Sequence, residues 1–386
     1  MRVIVDASPL LLRSAGVKNY LFYWLQHLER LSGKHRLRAF PFMPPCRDLL
    51  HERSVLDVVR TAPRLATLFL VNIRPNPAIH WIARSCDIFH ATNQIRQPVR
   101  AARLTATMHD LTCWLMPEVH TPANIRADRE FAENILNRAD GLISVSENTR
   151  QDAIRILGLP PERVVTIHSG VAESFFEASE AMAREAAERY CLLKPYILFT
   201  GTIEPRKNVD ALLAGYRQLP PSVRQEYELV VVGPMGWADA RTASGLVNTR
   251  TGVRYLGYVP ERDLPGLTRG ATVFAYPSLY EGFGFPVAQA LACGVPVLTS
   301  NCSCLPEIAG PGGLLVDPRS PGAIARGLDR LLSSPELRAS LGAAGRKLAQ
   351  ERYRWELTAR RSWEFFESVH KGESRLAADR TLPSPA

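Results

Sequence analysis

The sequence predicts an α/β protein of two domains, each built on a parallel β-sheet. A chain of 386 residues with 46% hydrophobic content can bury two separate cores. Short apolar runs alternate with helix-like stretches in both halves, and strands separated by helices imply parallel sheets. Between the halves, Ala172 to Leu193 is rich in Ala, Glu and Arg and has a helical pattern only, so we place the domain junction there.

The first half opens with a predicted strand at Arg2–Asp6 and a loop that reaches Gly16. Apolar residues then recur at helical spacing from Val17 to Leu28, which predicts an amphipathic helix. Ser146 is suited to cap a helix that runs from Glu147 to Leu157. Further strands of this half are predicted around Cys86–His90, Thr105–Met108, Gly141–Val145 and Arg163–His168.

The second half repeats the alternation of strands and helices. A final amphipathic helix is predicted at about Trp355 to Val369. The predicted strands of this half are Tyr196–Thr200, Glu228–Val232, Val253–Leu256, Thr272–Ala275 and Val295–Thr299.

The loop after the strand near Thr272 carries the densest group of chemically informative residues, YEGFGFPVAQALACGVPVL. Glu281 stands at the carboxyl end of the strand, where ligands bind in parallel α/β sheets. Gly282 and Gly284 let the backbone approach a ligand, although a Gly-x-Gly by itself also fits a tight connection between strand and helix. Pro286 suits the first helical position, and Gly294 suits the left-handed residue just past the helix.

A second cluster is GTIEPRKNVDALL, in which Arg206 and Lys207 follow a strand and precede a helix that begins near Asn208. Two adjacent cations beside a helix N-terminus can bind a pyrophosphate through side-chain charge, backbone N–H groups and the helix dipole. Taken alone, the pair also fits an ordinary solvated surface.

A third cluster, TATMHDLTCWLMPE, places His109 and Asp110 directly after an apolar strand. A polar residue at this position can contact a ligand, and it can also do no more than cap the turn.

Taken in their order along the chain, the three clusters resemble the motifs of the family-four retaining glycosyltransferases of GT-B fold. The resemblance covers about Asp6 to Val369, and the loop at Glu281 matches the family's EGFGLPxLEAMACGxPV except that Gln289 replaces its second Glu. It implies two Rossmann-like domains that face each other across a cleft. The implied acceptor domain is residues 1–172, the implied nucleotide-sugar domain is residues 190–352, and the helix at about 353–372 packs back on the acceptor domain.

The resemblance also implies roles for individual residues. Glu281 would contact the donor sugar, and His109 would face the same sugar from the first domain. Gln289 stands where the family's second Glu holds the ribose hydroxyls, and a Gln retains a neutral hydrogen-bond acceptor there.

Arg206 and Lys207 would neutralise the charge that develops on the departing diphosphate. Gly16, in SAGVKNY, corresponds to a glycine loop that approaches the phosphates or the acceptor. Further donor contacts are implied for Gly282, Phe283 and Gly284, and Asp110 and Glu307 are additional candidates.

The function that the resemblance implies is transfer of a hexosyl group, with retention, from a nucleotide sugar to a hydroxyl group. GDP-mannose or a related GDP-sugar is the favoured donor, with UDP-sugars next. The implied acceptor is a glycan or lipid-linked glycan in the synthesis of surface polysaccharide such as lipopolysaccharide. The chain contains no Asp-x-Asp, the usual metal-binding motif of the other large glycosyltransferase fold, so we expect no metal and no other cofactor. The leaving phosphate itself would help to deprotonate the acceptor on the front face of the sugar.

Two alternatives remain at this stage. A sugar-nucleotide 2-epimerase shares the GT-B fold but needs acid and base groups for deprotonation at C2. The second alternative is a sugar-nucleotide-binding or scaffold protein without activity, and Gln289 is the one feature that favours it. Incubation with a panel of nucleotide sugars separates transfer, epimerisation and binding without turnover.

Charge is concentrated in the first third of the chain. Residues 1–125 contain 16 Lys plus Arg against 8 Asp plus Glu, a surplus of 16 − 8 = +8 out of a total of +9. This basic charge has three alternative explanations: a solvated surface, contact with an anionic membrane or polyprenyl phosphate, and binding of nucleic acid. No nucleic-acid-binding motif accompanies the charge. We predict a cytoplasmic protein attached peripherally to the inner face of the cell membrane. In keeping with this, the sequence shows no signal peptide or spanning segment, and the seven scattered cysteines are read as reduced thiols.

Overall fold

A computed structural model describes residues 1–14, 16–44, 46, 48–73, 77–237, 240–247 and 252–373. The chain divides into two compact units. One comprises Met1–Gly170 together with the chain from Trp355 onward, and the other comprises Val171–Arg354. The segment from Ala172 to Leu193, which the sequence pattern marks as helical, lies in the second unit.

The described strands are β1 (Arg2–Asp6), β2 (Arg36–Phe40), β3 (Ile88–Ala91), β4 (Leu104–Met108), β5 (Gly141–Ser144), β6 (Val164–Thr166), β7 (Tyr196–Thr200), β8 (Glu228–Val232), β9 (Val253–Gly257), β10 (Val273–Tyr276), β11 (Val297–Ser300) and β12 (Gly313–Val316).

The described α-helices are α1 (Gly16–Arg30), α2 (Val58–Val71), α3 (Pro77–Arg84), α4 (Thr112–Leu115), α5 (Pro122–Asn134), α6 (Glu147–Leu157), α7 (Glu173–Phe176), α8 (Glu180–Arg189), α9 (Val209–Arg217), α10 (Pro221–Glu226), α11 (Ala240–Val247), α12 (Leu264–Arg269), α13 (Phe285–Ala292), α14 (Leu305–Ala309), α15 (Pro321–Ser333), α16 (Pro335–Arg352) and α17 (Trp355–Lys371).

Each unit contains one six-stranded parallel sheet, which confirms the predicted fold class. The strand order is β2-β1-β3-β4-β5-β6 in the first unit and β12-β11-β10-β7-β8-β9 in the second. In the first sheet, Val5 lies opposite both Ala39 and His90. The central strands are buried along their whole length because helices cover both faces of a parallel sheet.

The structure adds two edge strands that the sequence analysis did not predict, β2 and β12. Strand β2 reads RLRAF and exposes the side chains of Arg36 and Arg38, so it lacks the continuous apolar run of a central strand. Strand β12 is only partly buried and begins with a glycine. Both lie at the outer edge of their sheet, where one side of the strand has no neighbour and polar residues are tolerated.

The residues predicted to begin or end helices lie at helix ends in the structure. The Ser146 side chain accepts a hydrogen bond from the backbone N–H of Thr149 and caps α6. Helix α13 has Pro286 in its first turn, and Gly294 beyond its end adopts a φ of 72°. The helix begins at Phe285, one residue before the start predicted at Pro286, and the left-handed Gly294 confirms the predicted stop.

The last helix of the described chain, α17, packs against α1 within the first unit. Trp24 donates its indole N–H to Ser362 Oγ at 2.9 Å, and Trp363 donates its own to the Leu28 carbonyl at 3.1 Å. Among the helices that the structure describes, none combines the length and the apolarity needed to cross a membrane.

Candidate functional site

The densest polar cluster of the second unit lies where β7 and β10 end. The chain leaves β7 toward β8 and β9 on one side and later returns to form β10 on the other side, so the strand order reverses between β7 and β10. Ligands of open α/β sheets bind at such a switch point. A 3₁₀ helix, Pro205–Lys207, follows β7 here, and the loop that carries Glu281 follows β10.

Glu281 is the centre of this cluster. Its Oε1 accepts hydrogen bonds from Lys207 Nζ at 2.6 Å, Ser278 Oγ at 2.7 Å and the Tyr276 hydroxyl at 3.0 Å. Its Oε2 forms an ion pair with Arg206 at 2.9 Å. The carboxylate is therefore fixed by four donors from two strand ends.

Arg206 also binds a second carboxylate, Glu204, at 2.6 Å, and donates to the Tyr280 carbonyl at 2.7 Å. The Arg206 and Lys207 side chains are 15% and 13% exposed, so the interpretation as an ordinary solvated pair is wrong. Two cations and two carboxylates balance within the cluster. An anionic ligand that entered would therefore meet guanidinium and ammonium groups that are already positioned.

The electrostatics of the cluster hold Glu281 ionised. Burial alone would raise the pKa of Glu281, but Arg206 and Lys207 lower it to about 2. Burial and the neighbouring Arg206 lower the pKa of Lys207, and the Glu281 carboxylate opposes that shift. A carboxylate with so low a pKa is a weak base that stays ionised at neutral pH, and an ionised carboxylate can only accept hydrogen bonds.

Asn208 explains why the strand ends stay together. It adopts a left-handed φ of 58°, which Asn tolerates better than most residues. Its side-chain amide donates to the carbonyls of Pro277 at 2.9 Å and Pro318 at 2.8 Å. The sequence analysis used Asn208 only to mark a helix start, whereas the structure shows that it joins the β7 loop to the end of β10.

The loop after Glu281 is shaped by Gly284 and by packing. The Glu281 N–H donates to Ser303 Oγ at 3.2 Å, which fixes the backbone where the loop begins. Gly282 and Phe283 are buried, and the Phe283 ring packs edge-on against Tyr353 with ring centroids 5.6 Å apart. A donor contact by Phe283 would therefore use its backbone.

Replacing Gly284 with Ala should destabilise the second unit and weaken donor binding together. Gly284 has a φ of 81°, and a Cβ there would lie 2.9 Å from Leu305 Cδ2. We expect the substitution to cost about 1–3 kcal/mol of folding free energy. Urea unfolding measures this cost, and Gly322→Ala is the matched control because a Cβ at Gly322 meets no atom closer than 3.4 Å. Equal stability of the two variants would contradict the assigned role of Gly284.

Two other predicted site residues lie on nearby helices. Gln289 is in the second turn of α13 and is half-buried, and no hydrogen bond joins its side chain to another residue of the described chain. Glu307 is in the first turn of α14. Burial, and after it the Glu307 carboxylate, raise the pKa of Tyr353, which places Glu307 near the packed side of the loop.

In the first unit, His109 follows β4 and its ring lies edge-on to Tyr20 at 4.9 Å. Burial lowers the pKa of His109 to about 4, although Asp110 opposes the shift, so the ring is neutral at pH 7. Its Nε2 is buried and has no hydrogen-bond partner among the described residues. Asp110 instead accepts hydrogen bonds from the N–H and hydroxyl of Thr112 at 3.0 and 2.6 Å, which is the turn-capping alternative.

Two ionisable residues of the first unit that the sequence analysis did not select, Asp6 and Lys18, are completely buried. Asp6, at the end of β1, accepts hydrogen bonds from Ser8 and Thr92, and burial raises its pKa. Lys18, in the first turn of α1, donates to the carbonyls of Leu50 and Arg53 at 2.8 and 2.7 Å. Asp6 could have been identified as a carboxylate that ends an apolar strand.

The first turn of α1 also contains the predicted glycine of the SAGVKNY loop. Burial lowers the pKa of Lys18, two residues further on, to about 8. Gly16 itself is exposed, and a Cβ there would meet nothing within 4 Å. Among the described residues of the first unit, none packs closely enough against this position to require glycine.

Comparison with known proteins places the two units in one enzyme family. The model described as "Glycosyltransferase Family 4" matches residues 14–175, and that described as "Glycosyl transferases group 1" matches residues 192–348. The O-antigen chain mannosyltransferase B of Escherichia coli is 38% identical over 273 residues, which are 70% of this chain and 71% of that protein.

Two further likenesses differ in extent. The serotype-specific mannosyltransferase WbdA of Escherichia coli is 30% identical over 263 residues, which are 66% of this chain but only 32% of that protein. The solved structure of sucrose-phosphate synthase from Thermosynechococcus elongatus is 21% identical, with a TM-score of 0.73. It covers 96% of this chain and 99% of that chain, and shows that the two share a fold.

Proposed function

This chain belongs to the group 1, family-four glycosyltransferases of GT-B fold, and we propose that it transfers a mannosyl group from a nucleotide sugar to a glycan. The observation that carries the proposal is the joined cluster of Glu281, Arg206 and Lys207 at the sheet switch point of the second unit. The acceptor that we propose is a hydroxyl group of a glycan or lipid-linked glycan in surface polysaccharide synthesis.

The choice of sugar rests on the relatives. Two of those similar to this chain are named mannosyltransferases, and one of them acts on an O-antigen chain by its name. We therefore favour GDP-mannose as donor, with UDP-sugars as the next class to test.

In the proposed mechanism, the second unit binds the donor sugar through the Glu281 carboxylate and the donor diphosphate through the cations Arg206 and Lys207. Glu281 would accept hydrogen bonds from sugar hydroxyls, since its carboxylate stays ionised. Arg206 and Lys207 would neutralise the diphosphate as the bond from C1 to the phosphate oxygen breaks. These two positioned cations support a reaction that needs no metal ion.

We propose that transfer occurs with retention on the front face of the sugar. The acceptor oxygen bonds to C1 on the side that the diphosphate leaves, and the acceptor proton passes to a departing phosphate oxygen. A covalent route would need a nucleophilic carboxylate beside C1. Glu281 is poorly suited to that task because four donors and a pKa of about 2 reduce its nucleophilicity.

In the first unit, His109 would contact the donor sugar as a neutral hydrogen-bonding group, because its buried Nε2 has no partner in the described chain. The basic surplus of residues 1–125 supports contact of this unit with an anionic membrane surface, without nucleic acid as a partner.

A panel of nucleotide sugars tests the proposed reaction. With GDP-mannose and a short mannoside acceptor, we expect release of GDP and formation of a longer mannoside whose new linkage has the donor's anomeric configuration. Turnover should persist after treatment with EDTA. Inversion, strict dependence on an added divalent ion, a changed sugar epimer, or binding without turnover would each contradict a stated part of the proposal.

The proposed ribose contact of Gln289 is tested by titration. Gln289→Ala should weaken binding of GDP by about 0.5–1.5 kcal/mol, the contribution of one neutral hydrogen bond. Gln289→Glu should bind at least as tightly as the wild type, because a charged acceptor makes a stronger hydrogen bond. Calorimetry of the three proteins decides the assignment, and three equal affinities would remove Gln289 from the site.

A further inference from the structure

Helix α2 of the first unit has an apolar face that the structure leaves in solvent. The opposite side of the helix is packed, with Leu68 and Val71 in the core of the unit. The exposed side chains recur at helical spacing and include Val59 and Phe69, which are 83% and 68% exposed. We call this surface the α2 face, and its members are Val58, Val59, Ala62, Pro63, Ala66, Phe69 and Leu70.

The segment that carries the α2 face has no negative charge. Residues 58–86 contain four arginines and no Asp or Glu. Asp57, just before this segment, is used as the N-cap of α2, where it accepts a hydrogen bond from the Arg60 N–H at 2.8 Å. The Asp57 carboxylate also forms an ion pair with the Arg60 guanidinium at 3.4 Å, and Arg60 and Arg64 lie on the same helix as the apolar centre.

Neighbouring elements expose further large apolar side chains. Arg64 of α2 donates to the Phe42 carbonyl at 2.9 Å, and the Phe42 side chain is 61% exposed. Helix α3 packs Ile79 and Ile82 into the same core as α2 and exposes 78% of Trp81. Large exposed apolar side chains grouped as they are along α2 mark an interaction surface.

We propose that the α2 face docks on an anionic lipid bilayer, with Phe69 and Leu70 inserted at the boundary between headgroups and acyl chains and the arginines beside lipid phosphates. An apolar face accompanied by Arg, with a single carboxylate at the helix N-cap, fits a helix that lies in a membrane interface. The inference rests on the membrane contact proposed above and assigns it to named residues, whereas it does not depend on the identity of the donor.

Charge favours a bilayer over other occupants of the α2 face. In a symmetric dimer the α2 face of one copy would pack against the α2 face of the other. Arg60 and Arg64 would then lie opposite the same arginines of the second copy, and like charges repel. A nucleic acid would place its charged phosphates against the apolar centre, which is unfavourable. A bilayer instead has lipid phosphates at its surface and an apolar interior directly below them, so it matches both the arginines and the apolar side chains. At 14 residues, α2 is about 21 Å long, which suits a helix lying on a membrane rather than one crossing it.

Vesicle sedimentation of the full chain tests the proposal. Phe69→Glu with Leu70→Glu should reduce partitioning onto phosphatidylcholine vesicles that contain about one third phosphatidylglycerol by tenfold or more. Leu193→Glu with Leu315→Glu is the matched control, because these leucines are exposed on the second unit, and it should bind as the wild type does. Vesicles of phosphatidylcholine alone should bind the wild type more weakly, and Arg60→Gln with Arg84→Gln should weaken binding to the anionic vesicles.

Three results would overturn the assignment. The first is that the wild type does not bind anionic vesicles. The second is that the Phe69/Leu70 variant binds them as well as its control does. The third is that sedimentation equilibrium shows a dimeric wild type and a monomeric Phe69/Leu70 variant, with equal lipid binding by the two. Transfer of mannose to a short soluble mannoside should be unchanged in the Phe69/Leu70 variant, and its loss would also count against a purely membrane role. Vesicle binding needs no donor, so failure of the proposed mannosyl transfer would leave this test intact.

Discussion

Glu281→Gln is expected to lower kcat for mannosyl transfer about a thousandfold while leaving the protein folded. The substitution retains the shape of the side chain but removes the charge that four donors surround. The neutral amide can present only one oxygen, so the sugar hydroxyls would lose the charged acceptor proposed for them, and Arg206 and Lys207 lose their shared counter-ion. Steady-state kinetics with saturating GDP-mannose measures the loss.

Glu180→Gln is the matched control for this variant. Glu180 is a carboxylate of the same unit that pairs with an arginine at 2.6 Å, but it is exposed on the surface. Its replacement should leave kcat unchanged and alter stability by less than about 1 kcal/mol, the usual value of an exposed ion pair. Normal turnover by a folded Glu281→Gln protein would remove Glu281 from the catalytic site.

The central part of the fold could be predicted from the sequence because it is buried on both sides. Strands such as β4 and β10 appear as short apolar runs, and helices between them imply a parallel sheet. Edge strands give a weaker signal. The alternation of arginine and apolar residues in β2 reflects one solvated side, and such a short pattern is not distinctive without its neighbour.

In the candidate site, features set by neighbouring residues could be predicted from the sequence, whereas contacts between distant residues could not. Strand ends and turn residues are local, so Glu281 and the pair Arg206 and Lys207 could each be placed at the ligand-binding edge of a sheet. The direct pairing of Lys207 with Glu281 could not be predicted, since the two residues are 74 positions apart in the sequence. They meet only because β10 lies beside β7 in the sheet. The supporting donors Tyr276 and Ser278 become recognisable only once that pairing is known.

Turn chemistry limited the interpretation in the first unit. Asp110 follows a strand in the same way as a ligand-binding carboxylate would, yet it caps the turn by binding the N–H and hydroxyl of Thr112. The two arrangements share one sequence pattern, since Asp favours both. The distinction depends on which hydrogen-bond donors the next two residues present.

The second large effect is expected for Lys207→Ala, which should lower kcat about a hundredfold or more and also weaken the binding of GDP. Lys207 has two contacts that could explain a loss of activity. It supports Glu281 at 2.6 Å and the Tyr276 hydroxyl at 2.7 Å, and it is proposed to neutralise the diphosphate. Because GDP carries the diphosphate without the sugar, its affinity reports the second role alone.

Calorimetric titration with GDP therefore separates the two roles of Lys207. If Lys207 binds the diphosphate, Lys207→Ala should raise the dissociation constant of GDP about tenfold or more, as expected for loss of a charged hydrogen bond, whereas Glu281→Gln should not. Lys194→Ala, which removes an exposed lysine of the same unit, should leave both kcat and GDP affinity unchanged. If Lys207→Ala instead lost turnover but bound GDP as tightly as the wild type, Lys207 would act only by positioning Glu281, and the leaving diphosphate would have to be neutralised by Arg206 without it.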